Sequence, residues 1–482
     1  MNIAELKGYV LGMCLFVAMA GCSGTVGSTP PPPPPGGGPP TPLPANPIQH
    51  VVVLVQENRS FNNLFAGFPG ADTAMKGLCK PGRNTPWCKT PREVPLKSVT
   101  LEKGTGVFRG TDICHSHGCF EIECDANASN VCQMDGFDLI AIGETSNGRP
   151  AKLFPYAYVD RSETKPYWDL AHQYTLADEM FFTETASSFL AHQMLISGTA
   201  RLNDHQWVTD QPNVAPWGCF SDPGDNAPTL EKNGRVSYRP GVFPCFKWAT
   251  IADLLDAKKV SWLDYVDQNP EPMGDFSGAV WNGFAAIHKI YYGPDWKTNI
   301  SSPNTNIFAD VKTGKLPAVS WVTPSLADSD HPASGCNGGP WWVTKVVNAI
   351  GTSRYWKNTA IILLWDDWGG WYDNAPPKIL DPSALGFRVP MIVISPYAKS
   401  GFVSHSQYDF GSILKFTEQT FDLGSLGTTD QSAAPMDDIF DFTQAPLKFK
   451  PAQLPPAMNC KDQVTNPKQM REILENDNGV PE

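Results

Sequence analysis

Charge is scarce in this chain. Asp, Glu, Lys and Arg make up 18% of the 482 residues, and the basic sign is the rarer one, 37 residues against 49. The net charge of −12 argues against a duplex nucleic-acid binder, which normally carries a basic footprint. After residue 25 no apolar run is long enough to span a bilayer as a helix. Few charges do not mean a chain without a core, because 41% of the residues are hydrophobic. What abounds is proline (45), glycine (41) and tryptophan (15), the composition of a loop-rich enzyme rather than a helical bundle. At about 100–200 residues per domain, the length allows two or three domains.

The first residues read as a targeting segment. The apolar stretch 9–20 behind Lys7 is too short for a membrane span and fits a signal-peptide core. Met19-Ala20-Gly21-Cys22 resembles a bacterial lipobox, in which the cysteine is lipidated and becomes the first residue. Residues 1–22 are therefore expected to be a lipoprotein-type signal peptide. The chain is expected to be exported, and either lipid-anchored to a bacterial envelope membrane or secreted. Residues 23–47, with six consecutive prolines from Pro30 to Pro35, read as a Pro/Gly-rich tether. Polyproline extends about 3.1 Å per residue, which would hold a domain clear of a membrane surface; a plain linker without an anchor has the same composition.

Ten of the twelve cysteines follow Cys22, at 79, 88, 114, 119, 124, 132, 219, 245, 336 and 460. An even number in an exported chain points to disulfides. The shortest loops would lie within Cys79/Cys88, the Cys114–Cys132 cluster and Cys219/Cys245. Cys114-His115-Ser116-His117-Gly118-Cys119 matches no standard zinc-finger spacing.

Residues 48–450 read as one α/β domain, followed by a polar tail over 451–482. Four stretches read as buried strands: 50–56, 316–323, 359–365 and 389–395. Continuous apolar runs with β-branched residues suit a parallel sheet covered on both faces. Helical patterns lie between and after them, over 250–259, 341–351 and 411–421. Such alternation implies a layered α/β architecture, with ligands at the carboxyl ends of strands. The first strand runs into Glu57-Asn58-Arg59-Ser60, the third into Asp366-Asp367-Trp368-Gly369-Gly370-Trp371-Tyr372-Asp373. Adjacent carboxylates repel unless a cation or a proton offsets them. One Asp-Asp pair is ordinarily a cap or a solvated turn. Two polar clusters at separate strand ends favour a divalent metal held by carboxylate and amide oxygens.

Residues 56–68, Gln-Glu-Asn-Arg-Ser-Phe-Asn-Asn-Leu-Phe-Ala-Gly-Phe, closely resemble the opening motif of the bacterial phosphoesterase family. That family includes phospholipases C and acid phosphatases. Further blocks match in order: Met134 to Phe137, Ser187 to Gln193 followed by Leu195 to Gly198, Asp330-His331-Pro332, Asp366 to Asp373, Arg388 to Pro396, and Tyr408 to Phe421. The resemblance implies the alkaline-phosphatase-like fold, a layered α/β structure around a mostly parallel sheet flanked by helices. Two positions depart from the family: aspartate is common where Asn62 stands, and histidine where Asn374 stands.

The resemblance also implies a chemistry. Ser188 would be the nucleophile and Ser187 the runner-up, although a Ser-Ser pair is also an ordinary helix N-cap ahead of Phe189. Glu57, Asn58, Asp366 and Asp367 would hold one divalent metal ion acting as Lewis acid and serine activator. His115 and His331 match family histidines that contact phosphate or assist the leaving group, and His192 would lie around the site. His117, His288 and His405 receive no role. The expected substrate is a phospholipid or small phosphoester, cleaved through a phosphoserine intermediate by a phospholipase C-type enzyme. An acid phosphatase and a non-catalytic surface-binding protein are the alternatives; the intact site residues count against the latter. No protein or nucleic-acid partner is expected, and the membrane would be met through the lipid anchor. No Cys-x-Pro-x-Arg segment of the sulfatase type is present.

Overall fold

A computed structural model describes residues 46–82, 85–90, 92–101, 112–142, 149–212, 215, 217–267, 281–379 and 385–456. The leader with Cys22, the tether up to residue 45, Cys460 and the tail beyond residue 456 lie outside the described residues.

An eight-stranded sheet forms the centre. Its strands in chain order are β1 (His50–Gln56), β2 (Thr175–Ala177), β3 (Trp262–Tyr265), β4 (Ile300–Ser301), β5 (Val319–Val322), β6 (Thr359–Trp365), β7 (Met391–Ile394) and β8 (Phe402–Ser404). They lie in the spatial order β4-β3-β5-β1-β6-β7-β2-β8. The run from β4 to β6 is parallel throughout. β7 is antiparallel to both its neighbours, and β8 is parallel to β2. The expectation of a mostly parallel sheet therefore holds, with one correction: the apolar run at 389–395 forms the reversed strand. An apolar run records burial on both faces and not strand direction.

β1 and β6 occupy the middle of the sheet. Every residue of β6 is buried, as is every residue of β1 after His50. Their register sets Gln56 opposite Trp365, and the Asp366 amide then donates to Gln56 O at 3.0 Å. Glu57 and Asp366 thus leave the sheet side by side at the carboxyl ends of adjacent parallel strands, where ligand crevices form in such sheets.

The helices that matter for the site are α1 (Phe61–Phe65), α2 (His117–Cys124), α3 (Arg161–Gln173), α4 (Ser188–Ser197), α5 (Ile251–Lys258), α6 (Asn306–Thr313), α7 (Gly339–Gly351) and α8 (Phe410–Phe421). α7 packs against α3 and α6, and α4 packs against α5 and α8. A separate four-stranded antiparallel sheet, spanning Arg201–Asn203, Gln206–Val208, Ala227–Glu231 and Val236–Val242, was not expected.

Disulfides join Cys79 to Cys88, Cys114 to Cys119, Cys124 to Cys132 and Cys219 to Cys245, and Cys336 is disulfide-bonded as well. With Cys114 and Cys119 bonded to each other, their sulfurs are not zinc ligands. Among the described residues, no helix is long and apolar enough to cross a membrane.

Candidate active site

Asn58 is the hub. It follows β1 with φ at 57°, a left-handed conformation that asparagine tolerates better than most residues. Its backbone N–H donates to Asp366 Oδ1 at 2.9 Å. Its side-chain nitrogen points at four acceptors: His115 Nε2 (3.0 Å), Ser188 Oγ (3.2 Å), and Asp367 Oδ1 and Oδ2 (3.3 Å each). The turn after β6 can close over it because Gly369 has no side chain. A Cβ there would stand 2.3 Å from Asn58 O, and φ is +60°.

Ser188 is the first residue of α4 and Ser187 is its N-cap. The two hydroxyls go separate ways. Ser188 Oγ donates to Asp367 Oδ2 at 3.1 Å, whereas Ser187 Oγ donates to Gln211 Oε1 at 3.0 Å and makes no capping bond. The structure therefore brings Ser188, and not Ser187, to the Asn58–Asp367 cluster. Ser188 opens α4, and the N-terminal end of a helix favours a phosphate.

His115 is held on both nitrogens. Nδ1 lies 2.7 Å from Ile113 O, an acceptor only, so Nδ1 carries the proton and Nε2 is the acceptor for Asn58. Nε2 is also 3.9 Å from Asp367 Oδ2. The Cys114–Cys119 disulfide and the Ser116 cap of α2 fix this segment.

One turn after Ser188 on α4, His192 places Nε2 3.2 Å from Glu57 Oε1 and 3.9 Å from Asp366 Oδ2. Burial pulls its pKa down to about 4, so the ring is neutral at pH 7. Glu57, His192 and Asp366, all buried, offer ligand atoms within 4.8 Å of one another, a spacing that could hold a metal ion. Two oxygens here lack a hydrogen-bond partner although fully enclosed: Asn58 Oδ1 and Asp366 Oδ2. Buried acceptors of this kind are costly unless something satisfies them. The donor set therefore fits a divalent cation.

His331 is placed by a different pair. Its Nε2 lies 3.4 Å from Asp112 Oδ2, with both side chains buried, and its ring leans on Trp281. Asp112 is three residues before His115, so the Cα atoms of these two lie within about 11 Å of each other. Asp112 was not singled out in the sequence, where nothing marks it. Glu123 was missed too. It is fully buried on α2 and accepts from Trp368 Nε1 at 2.7 Å, and burial raises its pKa well above the usual carboxylate range. The three histidines given no role, His117, His288 and His405, have other neighbours. His405 pairs with Asp178, His288 stacks near Tyr292, and His117 Nδ1 meets Thr185 Oγ1 at 2.7 Å.

Comparison with known proteins bears on these residues together. The chain is similar to phospholipase C A of Mycobacterium tuberculosis, 26% identical over 464 residues that cover 86% of this chain and 81% of that one. It is also similar to a non-hemolytic phospholipase C of Burkholderia pseudomallei, 25% identical, covering 78% of this chain and 55% of that one. Among solved structures it is similar to a protein in the alkaline phosphatase superfamily from Vibrio parahaemolyticus, at 12% identity and a TM-score of 0.34, covering 57% of this chain and 65% of that one. The model of the phosphoesterase family matches residues 48–424, a span that contains every side chain of the cluster. Over that length the chain belongs to the phosphoesterase family, and it is a hydrolase acting on phosphoester bonds.

Proposed function

We propose that the chain is a phospholipase C-type phosphodiesterase that works through Ser188. The observation that carries this is the position of the Ser188 hydroxyl: at the start of a helix, 3.1 Å from Asp367 Oδ2 and 3.2 Å from the Asn58 amide nitrogen. Asp367 orients the Ser188 O–H, and Asn58 steadies the oxygen. Ser188 Oγ attacks phosphorus in line with the leaving oxygen and passes its proton to Asp367, the bond to that oxygen breaks, and a phosphorylated serine forms. Water then attacks phosphorus, giving a proton to His331, and Ser188 Oγ leaves with the proton held by Asp367. His115 and His331 serve the phosphate and the leaving group, the latter by giving it a proton. Glu57, Asn58, Asp366 and Asp367 would hold one divalent metal. When bound it supplies positive charge for the phosphate oxygens and lowers the pKa of the serine hydroxyl.

The lipid preference draws support from the names of the relatives and from the surface. Met75, Leu78, Ile122, Val131 and Leu139 are large apolar side chains left exposed, all in the segment that also supplies His115. A protein meeting a lipid surface has a use for such side chains. The leader and Cys22 would place the enzyme in the cell envelope, with 48–450 as its catalytic domain.

A side-by-side assay of a choline phospholipid and an aryl phosphate monoester, with and without chelator, tests this. The diester should turn over faster, and both activities should fall with chelator and return with a divalent cation. Faster turnover of the monoester would favour the acid-phosphatase reading. Activity indifferent to chelator would remove the metal from the scheme.

A further inference from the structure

The all-oxygen ligand set inferred above is incomplete in one respect. His192 stands four residues after Ser188 on α4, so both side chains lie on the same helix face. Its Nε2 faces two carboxylates, Glu57 Oε1 at 3.2 Å and Asp366 Oδ2 at 3.9 Å. A ring N–H can point at only one of them. Were it to serve Glu57, Asp366 Oδ2 would remain as it is now, fully enclosed and without a hydrogen-bond partner, beside a second carboxylate. A dication among the three atoms satisfies all of them, and the separations suit one. Two donors each about 2.0–2.2 Å from one ion can stand no more than about 4.4 Å apart, and both separations fall within that reach.

We propose that His192 is a direct metal ligand through Nε2, together with Glu57 and Asp366, and that the resident ion is a borderline transition dication rather than calcium or magnesium. The choice of ion follows from the donor. Imidazole suits zinc, iron, nickel and copper, whereas calcium and magnesium take oxygen ligands. The proposal rests on the metal-dependent reading above and adds to it a nitrogen and an ion class.

The test uses the mature full chain stripped of metal. Zn²⁺ and Ca²⁺ are titrated calorimetrically, and the Mn²⁺-loaded protein is examined by pulsed electron paramagnetic resonance for coupling to a nitrogen-14 nucleus. The wild type should bind Zn²⁺ more tightly than Ca²⁺ and show the nitrogen coupling. His192→Gln keeps an N–H donor for Glu57 but loses the ring nitrogen. It should lose the coupling and weaken Zn²⁺ binding by at least about tenfold to a hundredfold, whereas His115→Gln should keep the coupling. If His192→Gln does not fold, persistence of the signal in both His115→Gln and His331→Gln assigns it to His192, and its loss in either overturns the proposal. Metal binding with no nitrogen coupling, with coupling that survives in His192→Gln, or with Ca²⁺ preferred also overturns the proposal but leaves a metal-dependent enzyme. A wild type that binds none of the three ions overturns both.

Discussion

Asp366 and Asp373 stand seven positions apart in one motif, both with no exposed surface, and they are treated in opposite ways. Asp373 uses both oxygens. Oδ1 accepts from Arg388 Nε at 2.8 Å and from the Ala375 amide at 2.9 Å, and Oδ2 accepts from the Asn62 amide at 2.9 Å. Arg388 also donates to Asp178 O, Asp72 O and Asn374 Oδ1, with its guanidinium over the Phe61 ring. Asp366 has Asn58 N–H on one oxygen and no hydrogen-bond partner on the other. The ion contact of Asp366 is with His192 Nε2, at 3.9 Å. One carboxylate is compensated by the chain and holds the fold together. Asp366, with one enclosed oxygen left without a hydrogen-bond partner, is buried in a way that suits a cation from outside. The two positions that depart from the family, Asn62 and Asn374, both belong to the Arg388–Asp373 network, away from the Ser188 cluster.

The largest effect should come from the reactive side. Ser188→Ala should abolish nearly all hydrolysis, since loss of a nucleophile in a cooperating site can cost on the order of 10⁶ in rate. Ser187→Ala should stay within about tenfold of wild type, because that hydroxyl is bonded to Gln211 instead. Turnover of purified variants checks this, and equal losses in the two would erase the distinction between the serines. On the structural side, Arg388→Met should leave Asp373 as an uncompensated buried charge. Breaking such a pair costs about 3–5 kcal/mol, read as a lower denaturant midpoint. Asp367→Asn, measured on metal-free protein, should cost far less stability while removing activity, because it deletes a buried negative charge beside another. Equal destabilisation by the two changes would break the contrast.

A third buried carboxylate gives a smaller, pH-dependent effect. Asp264 on β3 has its pKa raised from 3.8 to about 8 by burial. The native state therefore holds this proton more tightly than the unfolded chain does. Its contribution to stability is full below about pH 4 and is lost as pH rises toward 8. Asp264→Asn should flatten that part of the stability profile and help most near pH 8. Parallel profiles for the variant and wild type would show that Asp264 is solvated.

Much of this was legible in the residues, and the exceptions have physical reasons. β1 and β6 fall at the expected positions because each is a seven-residue strand built on a continuous apolar run buried on both faces. β2, β4 and β8 have three residues or fewer, too short to carry a period. The sheet between residues 201 and 242 escaped because its strands are half-polar and its Val236–Val242 strand has no buried position. At the site, the motifs named Asn58, Ser188, Asp366 and Asp367, and the helical spacing from Ser188 to His192 held the cue to the imidazole. Asp112 and Glu123 carried no cue, since their roles arise from contacts with His331 and Trp368 far away in the chain.

The central claim is that a serine of this chain, and not water, attacks phosphorus first. The stereochemical course at a chiral, isotopically labelled phosphodiester tests it most directly. Each in-line displacement inverts phosphorus, so attack by Ser188 followed by attack by water should return net retention. Net inversion would mean a single displacement by water, and the phosphoserine account would be wrong.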